Sequence, residues 1–165
     1  MAEKTKQKPV ISFKIQANRG ARLAAVQALF QVELTGKAGK KVLQEFVQYR
    51  LSDDETASEK TFANLKLFKL LVKAAIEEHI MIDAQLSARL ASGWTLERID
   101  PIVRAALRLA TYEFLNCLEV PIAVIIDEYV GIVAAFHAGP EAGFVNGILD
   151  KLAKETKADV ARAVQ

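Results

Sequence analysis

Apolar residues recur at three- and four-residue steps along nearly the whole chain, the spacing that lines one face of an α-helix. In the stretch opening with "NRGAR" at Asn18, Leu23, Val26, Phe30 and Leu34 mark such a face, and Ala24, Ala25, Ala28 and Leu29 add helix propensity. Gly36 and Gly39 close it. Val42, Leu43, Phe46 and Val47 predict a short second helix over 40–50. "LSDDETASEK" (51–60) is a polar connector with several residues suited to an N-cap. A long pattern over 59–78 follows, with Phe62, Leu65, Phe68 or Lys69, and Val72 on one face, and helix continues through "IMIDAQLSARL" to a break at Ser92-Gly93. Pro101 restarts it behind Asp100 as a cap, with Ile102, Ala106, Leu109 and Phe114 facing inward and Arg104 and Arg108 outward. Pro121 opens "PIAVIIDEYVGIVAAF", whose only charges are Asp127 and Glu128; such a helix is either central or covered by a partner. After Gly139-Pro140 a last helix spans 141–156. No segment alternates with strand period. The expected fold is all-α, a compact single-domain bundle of about seven helices joined by short loops.

Charge divides the chain where periodicity does not. Residues 1–22 hold Lys4, Lys6, Lys8, Lys14, Arg19 and Arg22 against Glu3 alone, although the net charge of the whole chain is only +2. A basic flexible arm (1–16) therefore precedes a mildly acidic helical domain (17–156) and a charged C-terminal tail (157–165). The arm reads as a solubilising tail or as an electrostatic footprint for nucleic acid, because clustered Lys and Arg release counterions from a phosphate backbone. Arg19 and Arg22 sharpen the choice. Placed at the start of the first helix, they oppose its macrodipole, so they are either solvated or await an anion together with the helix N-terminus. On the same reasoning, glutamate at both positions is expected to leave the fold at least as stable.

Composition removes other classes. A hydrophobic content of 52% excludes a disordered chain. No run approaches the roughly 18 apolar residues of a membrane span, and the first residues lack the apolar core of a signal peptide, so no membrane partner and a cytoplasmic location are expected. Cys117, the single cysteine, forms no internal disulfide and reads as a small buried hydrophobe within "FLNCLEV". His79 and His137 have no metal-site spacing, and no metal or other cofactor is implied. Asp127 and Glu128 are helix neighbours pointing about 100° apart, which does not converge two carboxylates on one substrate. A Cys117–His137 nucleophile pair is the remaining catalytic reading, and an apolar setting argues against it. No phosphate-binding glycine loop is present. The chain is not expected to be an enzyme.

"GFVNGILDKL" (143–152) is the unusual stretch. Asn146-Gly147 interrupts an apolar helix where glycine costs about 1 kcal/mol relative to alanine, so close packing at Gly147 with Asn146 bonded to a neighbouring loop, or direct ligand contact, is expected in compensation. Phe144 is either a hydrophobic staple or an exposed ring on which a base stacks. Lys151, Lys154 and Lys157, set near Asp150, Glu155 and Asp159, read first as a solvated face, with Lys151 the candidate for RNA contact.

"RLAAVQALFQ" (22–31), "LRLATYEF" (107–114), "VPIAVIIDE" (120–128) and "FVNGILDKL" (144–152) occur in the order and approximate spacing of the NusB transcription antitermination factors, and the chain resembles that family over roughly residues 17–155. The resemblance implies an RNA-binding protein without enzymatic activity. Such a factor pairs with NusE, also a small-subunit ribosomal protein, and the two bind boxA RNA on the transcribing RNA polymerase complex with other antitermination factors, chiefly in ribosomal RNA operons. By position it assigns RNA contact to Arg19, Arg22 and Phe144. The arginine run is sparser here than in many members and Gly143 stands where a basic residue is frequent, with Lys8 and Lys14 nearby to supply charge. An RNA-binding helical domain in ribosomal RNA maturation is the alternative within this class. From another class comes a protein-only scaffold or homodimer built on the apolar helix at 121–136.

Overall fold

The computed structural model describes residues 12–163 and is helical almost throughout. Helix α1 (Phe13–Thr35) begins earlier than its apolar pattern, because Ser12 caps it by accepting a hydrogen bond from the Ile15 N–H at 3.3 Å. It ends at Gly36, whose φ of 69° is the left-handed conformation that closes many helices. Helix α2 (Gly39–Glu45) passes into a π-helical turn at Phe46–Arg50. Two strands of two residues each, β1 (Leu51–Ser52) and β2 (Thr61–Phe62), then pair in parallel; the periodicity predicts none, and a pairing this short leaves no alternation to read.

Asn64 caps α3 (Leu65–Glu77), which starts later than the pattern over 59–78 because Phe62 belongs to β2. The chain breaks at Glu78 before α4 (His79–Ser87), and a 3₁₀ turn at Leu96–Arg98 leads into α5. Asp100 caps α5 (Pro101–Asn116) through the Ile102 and Val103 N–H groups, as the Asp-Pro pair predicts. Helix α6 (Ile122–Phe136) and α7 (Glu141–Ala163) form the closing hairpin, α7 running beyond the expected end at 156.

Helix α5 is the axis of the bundle. From Ile102 to Phe114 every residue except Arg108 is buried, and α1, α3, α4, α6 and α7 all pack on it. Phe68, Leu71, Ile82, Leu86, Leu107, Leu109, Ile125, Leu149 and Leu152 fill the core, each large apolar side chain contributing about 1.5–3 kcal/mol on burial. Helix α6 is not central: Ile125, Tyr129 and Val133 face inward, while Val124, Gly131, Ala134 and Phe136 face solvent. Leu34, assigned to the inner face of α1, is exposed. Arg104, expected outside, is buried instead: its Nη1 donates to the Leu96 and Ile99 carbonyls at 2.8 Å each, and its guanidinium pairs with Glu33. Arg108 forks onto the Asp83 carboxylate at 2.7 and 2.9 Å. Among the described residues no helix is long and apolar enough to cross a membrane.

Candidate nucleic-acid interface

Helix α1 carries the first candidates, and its true start changes their meaning. Because α1 opens at Phe13, Arg19 lies in its second turn and Arg22 in its third, beyond the reach of the N-terminal dipole. The two side chains then part. Arg22 is buried, with Nη2 2.8 Å from Glu113 Oε1 and Nε 2.9 Å from Oε2, and the Tyr129 hydroxyl donates to the same carboxylate at 2.5 Å. Burial opposes the Arg22 charge, but the hydrogen bond and field of Glu113 outweigh it and hold the guanidinium pKa above its ordinary value. Arg22 is therefore an internal cation tying α1 to α5 and α6, not an exposed phosphate ligand.

Arg19 points outward. Its side chain is half exposed, and Nε donates to Glu128 Oε1 at 2.8 Å on α6. A shallow groove beside this pair is lined by Gly20, Leu23, Asp127, Gly131 and Ala135. The glycine in "NRGAR" is there for fit: a Cβ at position 20 would lie 2.2 Å from the Phe62 carbonyl oxygen, so α1 and β2 touch only because the side chain is absent. Lys14, in the first turn of α1, is exposed; Lys151, on α7, is exposed as well. Lys8 lies outside the described residues.

Phe144 is half-buried in the second turn of α7, packed against the core on one side, with its ring centroid 6.2 Å from that of Trp94. Sequence patterning does not single out Trp94 and Arg98; an indole directly after the Ser92-Gly93 break, in a polar loop, is the signal that points to them. The candidates do not form one cluster. Phe144 shares a pocket with Val103 near the start of α5, whereas Arg22 meets Glu113 near its end, about 15 Å further along at 1.5 Å per residue.

Compensation for Asn146-Gly147 is not found inside the molecule. Asn146 is exposed, and a Cβ at Gly147 would meet nothing within 4 Å. Cys117 is buried, and its thiol is pushed up to about 11, first by burial and then by Glu113 and Glu119, which keeps it protonated and unreactive at neutral pH. Cys117 precedes α6 and His137 follows it, so a helix about 22 Å long separates them. His137 Nε2 instead meets Asp100 Oδ1 at 3.0 Å, and His79 Nδ1 lies 2.9 Å from the Ile76 carbonyl.

Comparison with known proteins extends these local observations to the whole chain. Residues 19–154 match the model of the NusB family. The transcription antitermination protein NusB of Caulobacter vibrioides is 40% identical over 144 residues, covering 87% of this chain and 97% of that protein. Its counterpart in Rhizobium etli is 34% identical over 163 residues, covering 98% and 100%. Among solved structures, T. maritima NusB superposes with a TM-score of 0.69 at 35% identity, over 83% of this chain and 90% of that one. A chain from the crystal structure of antitermination factors NusB and NusE in complex with dsRNA superposes with a TM-score of 0.66 at 25% identity, over 83% and 96%.

Proposed function

This chain belongs to the NusB family, and from that premise we propose that it is a transcription antitermination factor which binds boxA RNA of nascent ribosomal RNA transcripts jointly with NusE. It acts in the cytoplasm by holding RNA and partner on the transcribing polymerase, and it catalyses no reaction. The observation that carries the proposal is the family match across residues 19–154, which takes in the helical body from Arg19 through Phe144 and Lys151.

The geometry supports a division of labour. Exposed cations at Lys14, Arg19 and Lys151 position the phosphate backbone, and the ring of Phe144 meets a base, since phosphate contacts set register while bases carry sequence information. The arm, with Lys8, adds charge ahead of α1 in the sequence. Arg19 is held by Glu128 until RNA arrives. Exposed pairs contribute only about 0–1 kcal/mol, and with the Arg19 side chain half exposed, phosphate oxygens can compete with the Glu128 carboxylate for its guanidinium.

Fluorescence anisotropy of labelled boxA RNA, with and without NusE, tests this. Arg19→Glu is expected to weaken binding sharply, to lower the thermal midpoint modestly because it sets a second carboxylate against Glu128, and to lower the slope of log K against log salt by about 0.7 for each phosphate no longer neutralised. Equal affinities for the parent, Arg19→Glu and Phe144→Ala across the salt series would overturn the proposed interface.

A further inference from the structure

Trp94 is the only tryptophan in the chain, and it stands 50% exposed between α4 and α5. Its surroundings are ordered. Arg98 lies over one face of the indole, 5.5 Å from the ring centroid, and is fixed there by Nη1 donating to the Gly93 carbonyl at 2.9 Å. The Phe144 ring is tilted 41° to the indole. With Ile99, Val103 and Pro140 these rings line a cavity of about 390 Å³, within the range of small-molecule sites. Two carboxylates also line it. Asp100 is engaged, since Oδ1 accepts from the N–H groups of Ile102 and Val103 and meets His137. Glu141 is not: its Oε2 is buried and has no hydrogen-bond partner, an arrangement that costs free energy until a donor arrives.

We propose that this pocket takes one unstacked nucleobase of the bound RNA, and that the base carries an exocyclic amino group. The ring stacks on Trp94, and the Glu141 side chain turns so that Oε2 accepts from the amino group. The proposal rests on the RNA-binding function above and adds to it a position where sequence is read. Aromatic and apolar walls suit a flat ring rather than a phosphate, and a ring with a donor on its edge satisfies both the aromatic wall and the orphan oxygen. Adenine, cytosine and guanine each carry such an amino group; uracil has a carbonyl oxygen in its place, which meets Glu141 unfavourably, and keeps only the ring N3–H as a donor.

Because Trp94 is the single tryptophan, its fluorescence reports on the pocket in the unaltered protein. Saturating boxA RNA is expected to quench it, and an RNA in which one particular amino-bearing base is replaced by uracil is expected to bind about 10-fold more weakly without the quench. Glu141→Gln should erase that discrimination, because an amide both donates and accepts. Trp94→Ala is expected to weaken binding about 5- to 150-fold, the range of one stacked base. Trp94→Phe, which keeps a stacking face and the apolar packing, should recover most of the loss. RNA binding by anisotropy with unchanged Trp94 fluorescence at saturation, and equal affinity for every uracil-substituted RNA, would overturn the pocket while leaving RNA binding itself intact. No binding by anisotropy at any RNA concentration would overturn both.

Discussion

Arg22, Glu113 and Tyr129 place two opposite charges and a hydroxyl in a largely apolar core. Such a pair adds little net stability when intact, but removing one partner leaves a buried charge uncompensated. Arg22→Ala is therefore expected to lower unfolding stability by about 3–5 kcal/mol in urea titrations. Arg22→Glu should be worse, since it sets two carboxylates face to face. That reverses the stability expected from the helix dipole, which holds only within a terminal turn. Tyr129→Phe should cost about 1–3 kcal/mol, Glu113 losing one of its donors. Both charges are visible in the sequence as residues on apolar stripes, Arg22 four before Val26 and Glu113 four after Leu109. Their pairing is not, because periodicity gives a residue's face and not the helix opposite. Cys117 supplies a pH dependence. The native thiol keeps its proton up to about 11, whereas an unfolded one loses it near 9, so its stabilisation is complete below about pH 8.5 and is lost as pH rises through 11. Urea midpoints between pH 8 and 11 should fall less steeply for Cys117→Ala than for the parent; parallel slopes would exclude the thiol as the source.

Helices are legible wherever a 3.6-residue period meets a cap. Asp100-Pro101 marks the start of α5 correctly. Ser12 does not announce α1, because Phe13 and Ile15 in its first turn are solvent-exposed and carry no inward stripe. The π-helical turn and the two-residue strands are products of tertiary packing and have no sequence period of their own. Helix α7 supports a prediction at this scale. Gly147 sits in its interior with open space where a side chain would be, so Gly147→Ala should raise the thermal midpoint, by up to about 1 kcal/mol of stability. The same variant assayed for RNA binding shows whether that forgone stability serves the surface: weaker binding with a higher midpoint means that a ligand approaches the bare backbone there.

The bundle and the resemblance are readable from four apolar segments in order, but the placement of candidates at opposite ends of α5 is not, since it depends on how α1 and α7 dock. Deleting residues 1–11 keeps Ser12 and all of α1 and removes Lys4, Lys6 and Lys8. The truncated protein is expected to melt with the parent and to bind RNA more weakly, its salt slope reduced by about 0.7 for each phosphate the arm had neutralised. An unchanged slope would exclude the arm from the interface. A cut after residue 16 would instead take the first turn of α1 and confound the two effects.

The ion pair inside the bundle also sets a clock on its birth. Arg22 and Glu113 are 91 residues apart, and at a synthesis rate of about 5–20 residues per second the cation of α1 waits about 5–20 s for the carboxylate that neutralises it. Tyr129 arrives later still. Until then the first helix presents an apolar face with an unpaired arginine set in it, and it has no α5 to close upon. Ribosome-bound chains halted before residue 113 should accordingly be cut within α1 by a dilute protease, while chains halted well beyond α6 should be protected there.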